Sequence, residues 1–139
     1  MNGHTVRKFR LSDKFISQYE DKKVPWGPVG YVTYKRTYSR RLDEKTPGAV
    51  GTEEWFQTCR RVIEGMFNMQ KQHVSHLGLE WNDAKAQQTA KEAYDRLFDL
   101  KWTPPGRGLW MMGTKFVEER TAAGLFNCAF RSTKDISIK

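Results

Sequence analysis

The sequence is poor in cysteine and histidine, with two and three residues respectively, and it contains no long apolar run. A membrane-spanning helix needs about 20 predominantly apolar residues, and no segment approaches that length. Residues 1–8 also lack the apolar core of a secretory signal peptide. These absences argue against a membrane protein and against a secreted, disulfide-stabilised domain, so we expect a cytoplasmic protein with free thiols.

Neither the cysteines nor the histidines form a recognisable metal site. Cys59 and Cys128 are far apart in the sequence and match no metal-binding spacing. His73 and His76 have an i,i+3 spacing that a helix could use for metal binding, but no carboxylate or cysteine stands at a supporting distance. We therefore expect a solvated pair of histidines in a linker, and no bound metal.

The composition predicts one ordered domain that leaves apolar surface for a partner. A chain of 139 residues has room for a single core. Its hydrophobic fraction of 38% is low for a self-sufficient core, whereas its aromatic fraction of 13% is high for a disordered segment.

The positive charge is concentrated at the two ends of the chain. Residues 1–50 contain 11 basic and 5 acidic side chains, residues 51–100 contain 6 and 8, and residues 101–139 contain 7 and 3. The net charge is +8. Basic ends around a nearly neutral middle suit a phosphate-bearing ligand, either a nucleotide or a nucleic acid.

The first 50 residues alternate between short elements and breaks. Ser12 is predicted to cap a short helix over residues 13–19. Two prolines and two glycines exclude a regular element over residues 24–30. Side chains of different polarity alternate along residues 31–41, and strand-forming residues are frequent there, which predicts an extended segment. Its aromatic side chains are expected to pack and its basic side chains to be solvated. We expect a loop over residues 43–51.

Two strong helices are predicted in the middle of the chain. Thr52 is expected to cap the first, which ends near Asn68 and is followed by a linker over residues 71–79. Asn82 is expected to cap the second, which ends at the two prolines 104–105. Both helices carry apolar residues at helical spacing. These residues are Trp55, Cys59, Val62, Ile63 and Met66 in the first helix, and Ala86, Ala90, Ala93, Leu97 and Leu100 in the second.

The last third of the chain changes in character. Residues 106–108 (Gly-Arg-Gly) predict a flexible turn, and residues 116–124 a loop or a single helical turn. Nearly every residue from Leu125 to Phe130 is apolar, which predicts a strand over residues 125–131 that is buried on both faces, as in a parallel sheet or barrel. Such a strand needs neighbouring strands to pair with.

Several short motifs occur together and in order. They are Trp26-Gly27, residues 31–40 (YVTYKRTYSR), residues 61–65 (RVIEG), residues 103–110 (TPPGRGLW), Gly113-Thr114 and residues 126–130 (FNCAF). With these motifs the chain resembles the N-terminal part of adenosylcobalamin-dependent (class II) ribonucleotide reductases, in the monomeric, triphosphate-reductase-like branch. The resemblance implies a mainly α N-terminal region over residues 1–105. It implies that residues 106–139 form a substrate loop and the first strand of an incomplete ten-stranded α/β barrel.

The resemblance also implies a radical chemistry. In that family, homolysis of the cobalt–carbon bond yields a thiyl radical on one cysteine, which abstracts the ribose 3′-hydrogen. Two further cysteines supply the reducing equivalents as the 2′-hydroxyl leaves, and they end as a disulfide. The resemblance makes Cys128 one of this reducing pair and leaves Cys59 as a core residue. From the residues alone, a small buried apolar side chain is the commoner role of a cysteine in a strand.

Three further residues are candidates for substrate binding. The segment that contains Arg107 and Gly108 resembles the family's loop along the substrate ribose and phosphates. Arg107 would pair with phosphate oxygens, and glycine would admit a close backbone approach. An ordinary turn with a surface arginine is the alternative. Asn127 could hydrogen-bond the substrate or its own backbone.

The resemblance predicts the N-terminal subunit or fragment of a split reductase that is inactive by itself. Its partners would be a complementary C-terminal reductase chain, a ribonucleoside triphosphate and a thioredoxin-like reductant, with adenosylcobalamin bound mainly by the missing part. A non-catalytic, basic nucleic-acid-binding module is the alternative from a different functional class. A truncated, functionless remnant is a third, although the mutual consistency of caps and apolar stripes argues against it.

Overall fold

The computed structural model describes residues 7–42, 51–120, 122–126 and 128, and its architecture is helical. The α-helices are α1 (Asp13–Ile16), α2 (Pro28–Thr37), α3 (Trp55–His76), α4 (Asp83–Phe98), α5 (Gly106–Met111) and α6 (Lys115–Glu119). Single 3-10 turns span Ser17–Tyr19 and Ala122–Leu125. The described residues contain no strand, only an isolated antiparallel bridge between Arg41 and Thr52. The predicted mainly α region is therefore confirmed.

Helices α3 and α4 form the centre of the molecule. The apolar stripe predicted for α3 is confirmed, since Trp55, Cys59, Val62 and Ile63 are all buried. Asn82 caps α4 as predicted, because its side-chain oxygen accepts a hydrogen bond of 2.9 Å from the backbone N–H of Lys85. None of the helices among the described residues is both long enough and apolar enough to cross a membrane.

The ends of α3 differ from the prediction. Glu54, not Thr52, is the N-cap, because Glu54 and Gln57 form a reciprocal capping box. The helix continues to His76 instead of ending near Asn68, so His73 and His76 lie exposed in its last turns and not in a linker. It ends where Gly78 adopts a left-handed backbone with φ of 68°, the usual glycine termination of a helix.

The extended segment predicted over residues 31–41 is wrong, because residues up to Thr37 belong to α2. Pro28 stands at the first position of this helix, where its fixed φ favours helix initiation. Tyr34 is buried, stacks on Trp26 at 5.1 Å between ring centroids and meets Trp55 edge-on at 5.3 Å. Tertiary packing of one aromatic face thus overrides the strand preference of the individual residues.

The predicted buried strand over residues 125–131 is also wrong wherever the structure describes it. Leu125 ends a 3-10 turn, and Cys128 lies in an exposed turn. The backbone satisfies its hydrogen bonds locally here, as in the bond of 3.1 Å from the N–H of Phe126 to the carbonyl of Ala123. A strand needs a neighbouring strand, and none exists among the described residues. The remaining positions of that segment lie outside the described residues, and so do residues 43–50 of the loop predicted over residues 43–51.

Candidate functional site

The segment predicted to bind substrate is a short helix, not a flexible turn. Helix α5 begins directly after Pro104-Pro105, and its glycines permit tight packing. A Cβ atom added to Gly106 would lie 3.2 Å from the hydroxyl oxygen of Tyr38. One added to Gly108, which is buried, would lie 2.9 Å from the Cβ of Pro104. The backbone of Gly108 therefore comes close to the side chain of Pro104. The predicted role of Gly108 in substrate binding stays a prediction.

Arg107 joins helix α5 to the segment that contains Cys128. Its Nη1 donates a hydrogen bond of 3.1 Å to the backbone carbonyl of Phe126, two residues before the cysteine. The structure thus places the Arg107 side chain beside the backbone that leads to Cys128, as a single site containing both residues would require. Asn127 lies outside the described residues, so its predicted role stays a prediction.

The two cysteines have contrasting environments. Both are free, as predicted. Cys59 is fully buried, and this burial raises the pKa of its thiol well above the ordinary value. Because the thiolate is the reactive form, Cys59 is an inert core residue. Cys128 is exposed and accessible to a reaction partner.

Large apolar side chains surround this end of the molecule without being covered. Trp110 is 48% exposed, Phe116 50% and Phe126 66%. They belong to α5, to α6 and to the residue after the last 3-10 turn. Large exposed aromatic side chains on three consecutive segments of the chain suit a surface that packs against another polypeptide.

A buried polar cluster beneath α5 was not predicted from the sequence. Glu53 is 7% exposed, and its carboxylate accepts hydrogen bonds from the Nε of Arg61 at 2.7 Å, from its Nη2 at 2.9 Å and from the Thr58 hydroxyl at 2.8 Å. Arg61 in turn donates to two carbonyl groups at the end of α5. The only sequence signal was that Arg61 stands in one of the recognisable motifs.

Tyr34 extends the same cluster. Its hydroxyl lies 3.0 Å from the backbone carbonyl oxygen of Glu53 and 2.7 Å from the Oγ1 of Thr58. Burial raises the pKa of Tyr34 above its ordinary value, so the hydroxyl stays protonated. Tyr34 and Tyr38 therefore serve packing, which is the role expected for the aromatic residues of this segment. The alternative of a nucleic-acid-binding module, which would use these rings for stacking, is not favoured.

Two clefts lie along the surface of α3. The larger, about 560 Å³, contains the ion pairs Lys8–Glu118 at 2.7 Å and Arg60–Glu64 at 2.8 Å. The smaller, about 350 Å³, has His73 and His76 on its wall. Within the described part of the chain, no three histidine, cysteine or acidic side chains are placed together to hold a metal ion.

Comparison with known proteins identifies the family. The model of the family described as "Ribonucleotide reductase alpha domain" matches residues 11–114. A probable adenosylcobalamin-dependent ribonucleoside-triphosphate reductase of Dictyostelium discoideum is 43% identical over 95% of this chain. An adenosylcobalamin-dependent ribonucleoside-triphosphate reductase of Euglena gracilis is 39% identical over 92%. The chain spans 17% of the length of each of these relatives.

A solved structure agrees with these relatives. The crystal structure of a B-12 dependent (class II) ribonucleotide reductase superposes with a TM-score of 0.70 and 35% identity, over 86% of this chain and 16% of that one. Family, relatives and fold all point the same way. The chain therefore belongs to the ribonucleotide reductase alpha-domain family, and it is similar to the N-terminal part of the class II, adenosylcobalamin-dependent reductases.

Proposed function

We propose that this chain supplies the N-terminal part of an adenosylcobalamin-dependent reductase of ribonucleoside triphosphates. The observation that carries the proposal is the 43% identity over nearly the whole chain to a probable reductase of this name, of which the chain spans 17%. The reaction then requires a complementary reductase polypeptide. The chain alone is expected to have no turnover.

The exposed aromatic surface supports a contact with that polypeptide. Trp110, Phe116 and Phe126 lie at the same end as Cys128, and a protein exposes such groups together mainly where it meets a partner. In this proposal, residues 106–139 lead into the catalytic barrel, whose remaining strands belong to the complementary polypeptide. Docking would cover the three aromatic side chains and would supply strand partners for the chain after residue 126.

Cys128 is proposed as one of the two reducing cysteines. The two thiols together supply two electrons and two protons, the ribose 2′-hydroxyl leaves as water, and the two sulfur atoms form a disulfide. A thioredoxin-like dithiol then reduces that disulfide for the next turnover. The exposure of Cys128 supports this role, whereas the raised pKa of buried Cys59 argues against that residue.

Arg107, Gly108 and Asn127 are proposed to bind the substrate. Arg107 has a guanidinium group suited to phosphate oxygens, and one of its nitrogens is bound to the Phe126 carbonyl, which leaves other donors for a ligand. The basic balance of residues 101–139 is consistent with a triphosphate substrate.

The described residues do not fit adenosylcobalamin. The clefts lined by described residues measure about 350 to 560 Å³, which is small for a corrin, and the largest of them contains the ion pairs Lys8–Glu118 and Arg60–Glu64. We therefore propose that the complementary polypeptide binds most of the cofactor. No step of the reaction is assigned to a cofactor contact within this chain.

Co-expression with the complementary polypeptide tests the proposal. The two chains should co-purify, and the mixture should convert ribonucleoside triphosphates to deoxyribonucleotides only when adenosylcobalamin and a dithiol reductant are added. An inactive mixture whose components do not co-purify would refute it.

Cysteine variants of the complex test the role of Cys128. Cys128→Ser should abolish multiple turnover and leave assembly intact, because a hydroxyl cannot form the disulfide. The matched control is Cys59→Ala, which changes the other cysteine and should retain multiple turnover. Full turnover by Cys128→Ser would remove Cys128 from the mechanism.

A further inference from the structure

Arg61 binds the carbonyl groups at the end of helix α5. Its Nη2 donates to the carbonyl of Leu109 at 2.9 Å, and its Nη1 donates to the carbonyl of Met112 at 2.6 Å. The last carbonyl groups of a helix have no partner within the helix. Arg61, which projects from the middle of α3, satisfies two of them with one planar guanidinium group.

Glu53 determines the orientation of that guanidinium group. Both carboxylate oxygens accept from Arg61, at 2.7 and 2.9 Å, in the paired geometry that arginine and carboxylate favour. The Thr58 hydroxyl and the Arg40 backbone N–H donate to the same carboxylate at 2.8 and 3.3 Å. Since every nitrogen of the Arg61 guanidinium has an acceptor within this cluster, the group is held in one orientation.

Two glycines bring the backbone after α5 into direct contact with α3. Gly65 lies one helical turn after Arg61, and a Cβ atom on it would come within 2.5 Å of the backbone nitrogen of Gly113. Gly113 has a φ of 74°, and a Cβ atom on it would come within 2.3 Å of the carbonyl oxygen of Arg61. The end of α5 is therefore fixed on α3 both by hydrogen bonds and by the contact of two backbones.

We infer that Arg61, held by Glu53, is a positioning residue that sets the placement of helix α5 and, through Arg107, of the segment leading to Cys128. The link to Cys128 is the hydrogen bond from Arg107 to the Phe126 carbonyl. Arg61 acts through α5 and not by touching substrate. The inference rests on the proposed function only for its effect on the reaction, because the effect on α5 itself belongs to this chain alone.

Hydrogen exchange of the full 139-residue chain tests the structural part. Arg61→Lys keeps the charge but cannot bind Glu53 and both carbonyls in one plane. Exchange of the amides of residues 109–114 should accelerate at least about tenfold, while that of the α4 amides stays unchanged. The matched control is Arg60→Lys, the same change one residue earlier, where the side chain pairs with Asp13 and Glu64 and not with α5.

Kinetics of the assembled reductase test the functional part. Misplacement of a binding group by about 1 Å costs roughly a hundredfold in rate, so kcat/KM of Arg61→Lys should fall about a hundredfold. We expect this to divide into about a tenfold rise of the nucleotide KM and about a tenfold fall of kcat. A variant that is merely unfolded in part would lower the apparent kcat and leave KM unchanged. Arg60→Lys should stay within about twofold of the wild type.

The two readouts separate failure of this inference from failure of the proposed function. Equal exchange of residues 109–114 in Arg61→Lys and in the wild type overturns the inference, whatever the activity. An inactive wild-type complex refutes the proposed function, and exchange then decides the inference alone. If Arg61→Lys does not fold, Glu53→Gln, which keeps the shape and removes the charge, replaces it with the same expected acceleration.

Discussion

The aromatic side chains of the α3–α4 core and of the α5–α6 end of this molecule differ in their solvent exposure. In the core, Tyr94 and Phe98 are at most 1% exposed and lie within a continuous group of rings, in which the Tyr19 and Phe98 centroids are 5.0 Å apart. At the other end, Trp110, Phe116 and Phe126 are all about half exposed or more. The core is closed by its own side chains, whereas the end buries Leu109 and Val117 but leaves these three aromatic rings outward.

The forces that hold the two regions together differ accordingly. Apolar burial holds the core, and each buried aromatic ring contributes about 150–250 Å² of buried surface. The α5–α6 end is held on α3 by the ion pair of buried Glu53 with half-buried Arg61 and by the Gly65–Gly113 backbone contact. These polar contacts specify position and leave the apolar surface available.

The sharpest test of this comparison removes one phenylalanine from each region. Phe98→Ala should lower the free energy of unfolding by about 3–5 kcal/mol, because it leaves a cavity among packed rings. Phe126→Ala should change it by no more than about 0.5 kcal/mol in the isolated chain, because its ring is exposed. Urea unfolding of the 139-residue variants measures both values. Equal losses would mean that the two ends are equally closed.

A pair of glycine substitutions tests the backbone contact at the α5–α6 end. Gly78 and Gly113 both have left-handed backbones, with φ of 68° and 74°, but only Gly113 has neighbours within 4 Å of an added Cβ. Gly78→Ala should cost about 1–2 kcal/mol of unfolding free energy from backbone strain alone. Gly113→Ala should cost about 1–3 kcal/mol more, because its Cβ would collide with Arg61. Equal costs in urea unfolding would show that the α3 contact yields easily.

Alkaline pH should weaken the packed core around Tyr94. Burial raises the pKa of Tyr94 above the ordinary value of 10.0. The unfolded chain therefore loses this proton first, so the stabilisation is complete below about pH 10 and falls as pH rises further. The contribution of Tyr94 to the slope of the unfolding free energy against pH should reach at most about 1.4 kcal/mol per pH unit.

Unfolding free energies measured from pH 9 to 11 check this expectation. In Tyr94→Phe the slope should be shallower, because the variant has no phenol to titrate. An identical slope in the variant and the wild type would remove Tyr94 from the alkaline transition.

The sequence predicted the long helices because their signals are local. The cap at Asn82 and the apolar stripe from Trp55 to Ile63 each depend on residues within one or a few helical turns, and both are confirmed. The ordered motifs also pointed to the correct family. Errors began where local preference and packing disagree. The strand-forming residues of α2 are helical, because Tyr34 is buried among Trp26 and Trp55.

The candidate site was only partly predictable. Arg107 and Cys128 came from the recognisable motifs, and the structure connects Arg107 to the backbone two residues before the cysteine. The buried strand expected around Cys128 was wrong, because a strand cannot form its hydrogen bonds without a neighbour and the described residues supply none. Apolar composition alone could not distinguish burial within this chain from burial against another polypeptide.

By itself, the sequence determined the presence of the two long helices, most of the buried stripe of α3 and the family, since these follow from spacing, capping and short motifs. The tertiary structure alone decided that Glu53 would be buried beneath α5 and that Arg61 would hold the carbonyl of Met112, 51 residues further along the chain. Local spacing does not predict such contacts, because the sequence around a charged side chain does not show whether that side chain is solvated or buried. Only the folding of α5 onto α3 brings the carbonyl groups of α5 within reach of Arg61.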